Sequence, residues 1–129
     1  MLLVDTSVWV EFFRRGTGFR FEGLYDLDEV VTCLPVVQEV LQGFDDQRAF
    51  RLAREAMRSL PIIESPLSTE VFEEAVDLYR AARRAGLTIR SGIDCLIAAC
   101  AVRHSLPVLH LDRDFDSLAR VAPLEVLRS

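Results

Sequence analysis

The sequence predicts an α/β fold in which a parallel sheet is covered by helices on both faces. Two observations carry this expectation. Short apolar runs without strict alternation recur along the chain, as strands buried on both faces do. Between them lie longer segments with helical periodicity, and strands alternating with helices imply parallel pairing. In such sheets a site forms beyond the carboxyl ends of the strands, and here two of the apolar runs end in an aspartate.

The elements follow in order. Residues 2–4 (LLV) form the first run, stopped by Asp5, and Thr6 to Phe13 reads as a short helix. Residues 30–33 (VVTC) are β-branched and end just before Pro35, which suits the first turn of a helix running to about Gly43. Residues 47–60 place Phe50, Ala53, Met57 and Leu60 on one stripe. A short strand over 61–63 precedes a helix over 69–85, whose stripe is Phe72, Ala75, Val76 and Tyr79. That helix has Glu70, Glu73 and Glu74 in its first half and Arg80, Arg83 and Arg84 in its last, which complements the helix dipole. A further helix spans 92–104, a strand 107–111, a short helix 114–120 and a closing strand 124–127.

The 129 residues fit one domain, residues 1–129, and half are hydrophobic, which argues against disorder. No apolar stretch is long enough for a membrane span, and MLLVD does not read as a signal peptide. The cysteines Cys33, Cys95 and Cys100 form an odd count without a C-x-x-C pair, which suits a reducing cytosol. Net charge is −5, which alone neither supports nor excludes a nucleic-acid substrate, because acids gathered around metal are neutralised in use. All 15 basic residues are arginine.

Each acid has an ordinary structural role to set against a functional one. Asp5 alone reads as an N-cap for the helix after it. Glu39 falls on the shoulder of the apolar arc of Val36, Val37, Val40, Leu41 and Phe44, facing either solvent or a cleft. Ser91-Gly92-Ile93-Asp94 matches a capping box, yet the stretch from Ile93 to Val102 is apolar on every side except at Asp94. A helix apolar all round is buried, so this carboxylate enters a low-dielectric setting and needs hydrogen bonds, a cation or a raised pKa. In LHLDRDFDSLA, either Asp112 or Asp114 caps the last helix and Asp116 faces solvent.

Convergence changes the odds. Asp5 and Asp112 end strands, and Asp94 and Glu39 open helices that follow strands, so a parallel sheet can bring all four to one edge. Two carboxylates about 4 Å apart repel by roughly 4 kcal/mol at an effective dielectric near 20. Gathered without arginine partners, four would need protons or metal ions among them. An all-oxygen set suits Mg²⁺, with Mn²⁺ as a substitute, rather than zinc, and such sites perform metal-assisted phosphoryl transfer. Arg90 and Arg113 flank the acids and read equally as phosphate contacts or as surface ion pairs. His110 reads as a packed histidine and His104 as a partner of a helix C-terminus. Trp9, Phe12 and Phe13 read as core or as a partner interface.

With those acids placed, the chain resembles the PIN-domain nucleases, and among them the VapC-type toxins of bacterial toxin–antitoxin pairs. VDTSVWVEFF, PVVQEVLQG, IRSGIDCLIAACA and LHLDRDFDSLA carry the resemblance. It implies a three-layer α/β/α fold with strand order 3-2-1-4-5. It assigns Asp5, Glu39 and Asp94 to the family's first three acids and Asp112 to the fourth, with Asp114 able to take or share that role. Thr6 matches a supporting hydroxyl residue. It further implies a Mg²⁺-dependent endoribonuclease that leaves a 5′-phosphate and a 3′-hydroxyl, often on tRNA. A homodimer and a cognate antitoxin are implied as well, the antitoxin laying a helix in a groove and reaching toward the acids with a basic side chain.

Rival readings separate on single residues. A haloacid-dehalogenase-like phosphatase needs a second aspartate where Ser7 stands. A receiver domain and a P-loop NTPase both need a lysine, and the chain has none. A metal-dependent DNA nuclease and a catalytically weak module acting through antitoxin binding remain as alternatives.

Overall fold

The structure is a computed structural model and describes residues 1–15 and 26–128. Its strands are β1 (Leu2–Val4), β2 (Val30–Cys33), β3 (Ile62–Ile63), β4 (Val108–His110) and β5 (Val126–Arg128). All pair in parallel, in the order β3-β2-β1-β4-β5. The expected parallel sheet and its strand order are therefore both present. The helices are α1 (Thr6–Arg15), α2 (Leu34–Gln42), α3 (Gln47–Arg58), α4 (Thr69–Arg84), α5 (Gly92–Arg103) and α6 (Arg113–Ala119). A 3-10 turn at Leu27–Glu29, without a sequence signal, leads into β2.

Chain direction across the sheet reverses beside β1. Strands β2 and β3 are laid down on one side of it and β4 and β5 on the other, so α1–α3 pack in series and α4–α6 pack against one another. Registers are Leu3 with Val31 on one side and Leu3 with Val108 on the other. Beyond β1 the ladder gains one more bond, from Asp5 N–H to the Leu109 carbonyl at 2.9 Å. That bond draws Asp5 to the end of β4.

The central strands are buried on both faces, including Leu3, Val4, Val30 and Val108, as non-alternating runs imply. Helix α5 supplies the densest burial, with Cys95 and every residue from Ile97 to Ala101 inaccessible. One expected stripe is corrected. In α4 the core-facing residues are Val71, Ala75 and Ala82, with Leu78 packed beside them, whereas Phe72 and Val76 are 50% and 56% exposed. The reason is geometric: spacings of 72-75-76-79 and 71-75-78-82 both satisfy helical periodicity and share Ala75. In the neighbouring helix Ala53 and Met57 are buried as expected, with Leu60 just beyond its end.

Candidate metal centre

The carboxyl edge of β1 and β4 collects the acids. Asp5 follows β1 directly and is 2% exposed. Its carbonyl accepts the amides of Val8 and Trp9, which starts α1. Its side chain also caps that helix, with Oδ2 accepting from the Ser7 amide at 3.1 Å and the Ser7 hydroxyl at 2.6 Å. Capping uses one oxygen; Oδ1 is buried without a hydrogen-bond partner. Nothing in the sequence around Ser7 marks it as a site residue. Its hydroxyl also accepts the Leu111 amide at 3.0 Å and so ties Asp5 to the end of β4. That second bond spans more than a hundred residues and leaves no local signal.

Glu39 sits on α2, whose buried side is Pro35, Val36 and Val40. Of the two directions open to it, it takes the cleft. The Thr6 hydroxyl donates to Glu39 Oε1 at 2.8 Å, so one residue of α1 orients an acid of the next helix.

Asp94 occupies the first turn of α5 and is 5% exposed. The capping box is not made: Ser91 stands at the N-cap, but its side chain caps nothing, and the Asp94 amide reaches only the Ser91 carbonyl, at 3.2 Å. Asp94 Oδ2 is buried and unpartnered. Burial first, then the charges of Asp5 and Asp112, push its carboxyl up to about 9. Burial likewise raises Asp5 and Glu39 above the ordinary carboxylate range, with hydrogen bonds from Ser7 and Thr6 opposing it.

Asp112 is the N-cap of α6 and accepts the Asp114 amide at 3.0 Å. The capping role therefore falls to Asp112, while Asp114 is 1% exposed and turned inward. His110, fully buried at the end of β4, accepts the Asp112 amide on Nδ1 at 3.2 Å. With Nδ1 accepting, the ring proton belongs on Nε2, which is buried without a hydrogen-bond partner, 3.2 Å from Asp116 Oδ1. His110 thus holds the turn that aims Asp112. His104 lies at the C-terminal end of α5, 3.0 Å from Glu64 and away from the acids.

Arg90, which the sequence leaves open between a phosphate contact and an ion pair, reaches two of the acids. Arg90 donates from Nη2 to Asp112 Oδ1 at 2.8 Å, from Nε to Asp114 Oδ1 at 3.4 Å, and from its backbone amide to Asp114 Oδ2 at 3.0 Å. Between an ion pair and a free phosphate contact, the geometry here is an ion pair. Arg113 is exposed at the start of α6 and makes no ion pair among the described residues.

Two groups of carboxylates result: Asp5, Glu39 and Asp94, and Asp94, Asp112 and Asp114. Within each, one oxygen per residue lies within 4.8 Å of the others. Asp94 belongs to both. Oxygen-only donors at this spacing, two of them buried and unpartnered, fit a hard divalent cation that would neutralise the cluster.

The comparisons agree with this architecture. The PIN domain family profile matches residues 2–121. The chain is 40% identical to VapC ribonuclease Mb1587 of Mycobacterium bovis over 97% of its own length and 96% of that protein's. It stands in the same relation to ribonuclease VapC11 of Mycobacterium tuberculosis. Among solved structures it superposes on VapBC2 from Rickettsia felis, crystallised with a promoter DNA fragment, with a TM-score of 0.80 at 17% identity, covering 99% of this chain and 98% of that one. At that identity the likeness speaks for the fold. Fold, site and relatives together place the chain in the PIN-domain family, on its VapC branch.

Proposed function

We propose that this protein is a Mg²⁺-dependent endoribonuclease, the toxin of a toxin–antitoxin pair, with residues 1–129 acting as one PIN-like domain in the cytoplasm. The single observation that carries the reading is Asp94. A carboxylate 5% exposed, with one oxygen unpartnered, belongs to two three-acid groups in a chain 40% identical to named VapC ribonucleases. Among the described residues no helix is long and apolar enough to cross a membrane.

Asp5, Glu39 and Asp94 would hold one ion, and Asp94, Asp112 and Asp114 the other. Bound Mg²⁺ supplies a lowered pKa for attacking water and neutralises charge on the scissile phosphate. The protein's own groups prepare that chemistry. Ser7 and Thr6 fix the rotamers of Asp5 and Glu39, and His110 fixes the Asp112 turn. Burial of Asp94 to 5% exposure keeps bulk water from most of its surface. Hydrolysis of RNA with end-labelled substrate and Mg²⁺ tests the reading. Cleavage by the wild type, lost with EDTA and in Asp94→Asn, supports it; identical traces from both proteins leave the binding module instead.

For the antitoxin, the groove between α1 and α2 fits an amphipathic helix. Val10, Phe13, Val40 and Phe44 line a cavity of about 360 Å³ together with Glu39. A basic side chain from a helix seated there meets the acids.

For the homodimer, the face of α4 beside α5 fits a second copy of the chain. Phe72 and Val76 stand out from it, and Glu70 in the first turn and Arg83 and Arg84 in the last make the helix self-complementary when two copies run antiparallel.

A further inference from the structure

The two carboxylate groups are unequal. In the first group Asp5 Oδ1 is buried and without a partner, as is Oδ2 of Asp94, which both groups share, and no arginine pairs with Asp5 or Glu39 among the described residues. In the second group Arg90 already supplies a positive charge. Its guanidinium takes Asp112 Oδ1 at 2.8 Å and Asp114 Oδ1 at 3.4 Å. A divalent ion in the Asp94–Asp112–Asp114 group would compete with the guanidinium for carboxylate oxygens of Asp112 and Asp114.

We propose that Arg90 is an internal counter-cation that makes metal loading stepwise: one ion enters readily at Asp5, Glu39 and Asp94, and a second enters only when the guanidinium swings off Asp112 and Asp114. The inference rests on the metal-dependent reading above and adds a positioning role to a residue outside the acid set. Its mechanics follow from two facts. The Arg90 backbone amide is bonded to Asp114 Oδ2, which tethers the residue and leaves its side chain as the moving part. That side chain is 53% exposed and its pair with the 26% exposed Asp112 faces solvent, which weakens it; its contact with the buried Asp114 is long, at 3.4 Å, and Asp114 keeps the backbone amide as a donor when the guanidinium leaves. A phosphate arriving at the cleft offers the guanidinium a bidentate partner of its own and so favours the move.

Mn²⁺ titration followed by the electron paramagnetic resonance signal of the free ion tests this without any turnover. The wild type is expected to bind one Mn²⁺ per chain, with a second at least about 10-fold weaker. Arg90→Gln, which keeps the backbone bond to Asp114, should bring the second site to within a few-fold of the first, by the same free-energy scale. Arg90→Lys, which keeps the charge, should preserve the inequality. Binding in Arg90→Gln indistinguishable from wild type would overturn the counter-cation role while leaving the metal centre intact. No Mn²⁺ bound by either protein would overturn the metal reading itself, and this inference with it.

Discussion

Asp5, at the end of β1, and Asp94, in the first turn of α5, bring carboxylate oxygens within 4.8 Å of each other, and each also keeps a buried oxygen, Oδ1 in Asp5 and Oδ2 in Asp94. Neither of these buried oxygens makes a hydrogen bond within the protein. An unpartnered buried carboxylate oxygen is costly for folding, and a bound cation would offset that cost. Asp94→Asn should therefore separate the two effects. Loss of a shared ligand is expected to reduce RNA cleavage by more than the 10- to 100-fold typical of substituting a residue that merely supports a metal ligand. In EDTA at neutral pH the same variant should be more heat-stable, because an amide enters this buried position without the proton uptake that the Asp94 carboxyl requires. A gain of about 1 kcal/mol would raise Tm by about 3–6 °C in a chain of this size. Calorimetry beside the cleavage assay checks both; an unchanged rate would remove Asp94 from the site.

Stability should also fall with rising pH when divalent metal is absent. Burial raises Asp94 from the usual 3.8 to about 9, and Asp5 and Glu39 are raised as well. A carboxyl raised in the folded state binds its proton more tightly than in the unfolded chain. Its stabilisation is complete below about pH 4 and is lost progressively as pH climbs toward 9. Each full proton so linked is worth up to about 1.4 kcal/mol per pH unit. Melting in EDTA at pH 5, 7 and 9 is expected to give a descending Tm, with a shallower slope in Asp94→Asn. Saturating Mg²⁺, which stabilises the ionised form, should flatten the wild-type slope. A Tm constant across that range without metal would contradict the burial of these acids.

Much of this was legible before the structure, and the remainder has physical causes. The buried helix at 92–103 announced itself because Ile93 to Val102 is apolar around its circumference, which left Asp94 as the anomaly. The ends of β1 and β4 were readable because each run stops at or near an aspartate. Asp112 and Asp114 could not be told apart by spacing, since either can cap a short helix; the fold makes Asp112 the cap and turns Asp114 inward. The pairing of Arg90 joins residues 22 and 24 positions apart through tertiary packing, with no local pattern to reveal it. The α4 stripe failed because two overlapping periodicities were available and only contact with α5 chooses between them.

Thr6 offers a test of positioning rather than of ligation. Its hydroxyl holds Glu39 Oε1 at 2.8 Å, across α1 and α2. Thr6→Val removes that donor with little change of shape, and a hydrogen bond to a charged group is worth about 1.5–3 kcal/mol. The cleavage rate should fall by about 10-fold, in line with a lost supporting contact. Thr6→Ser, which keeps the hydroxyl, should restore most of it. Equal rates in all three proteins would show that Glu39 needs no partner on α1.

The α4 face makes the last prediction. Phe72 and Val76 are half exposed, and with Ala75, Tyr79, Ile93 and Leu96 they line one groove between α4 and α5. Burying two such side chains against their counterparts is worth about 1.5–3 kcal/mol each when complete, and the helix's acidic start and basic end fix the antiparallel sense. Phe72→Asp would place a charge at the centre of this proposed contact and should yield a monomer in light scattering at concentrations where the wild type is expected to pair. Because residue 72 is half exposed in the monomer, the variant's Tm measured as a monomer should stay close to that of the dissociated wild type. Its Mn²⁺ affinity at Asp5, Glu39 and Asp94 should be unchanged, since none of those side chains lies on α4. A Phe72→Asp protein that remains dimeric would assign the interface to a different face.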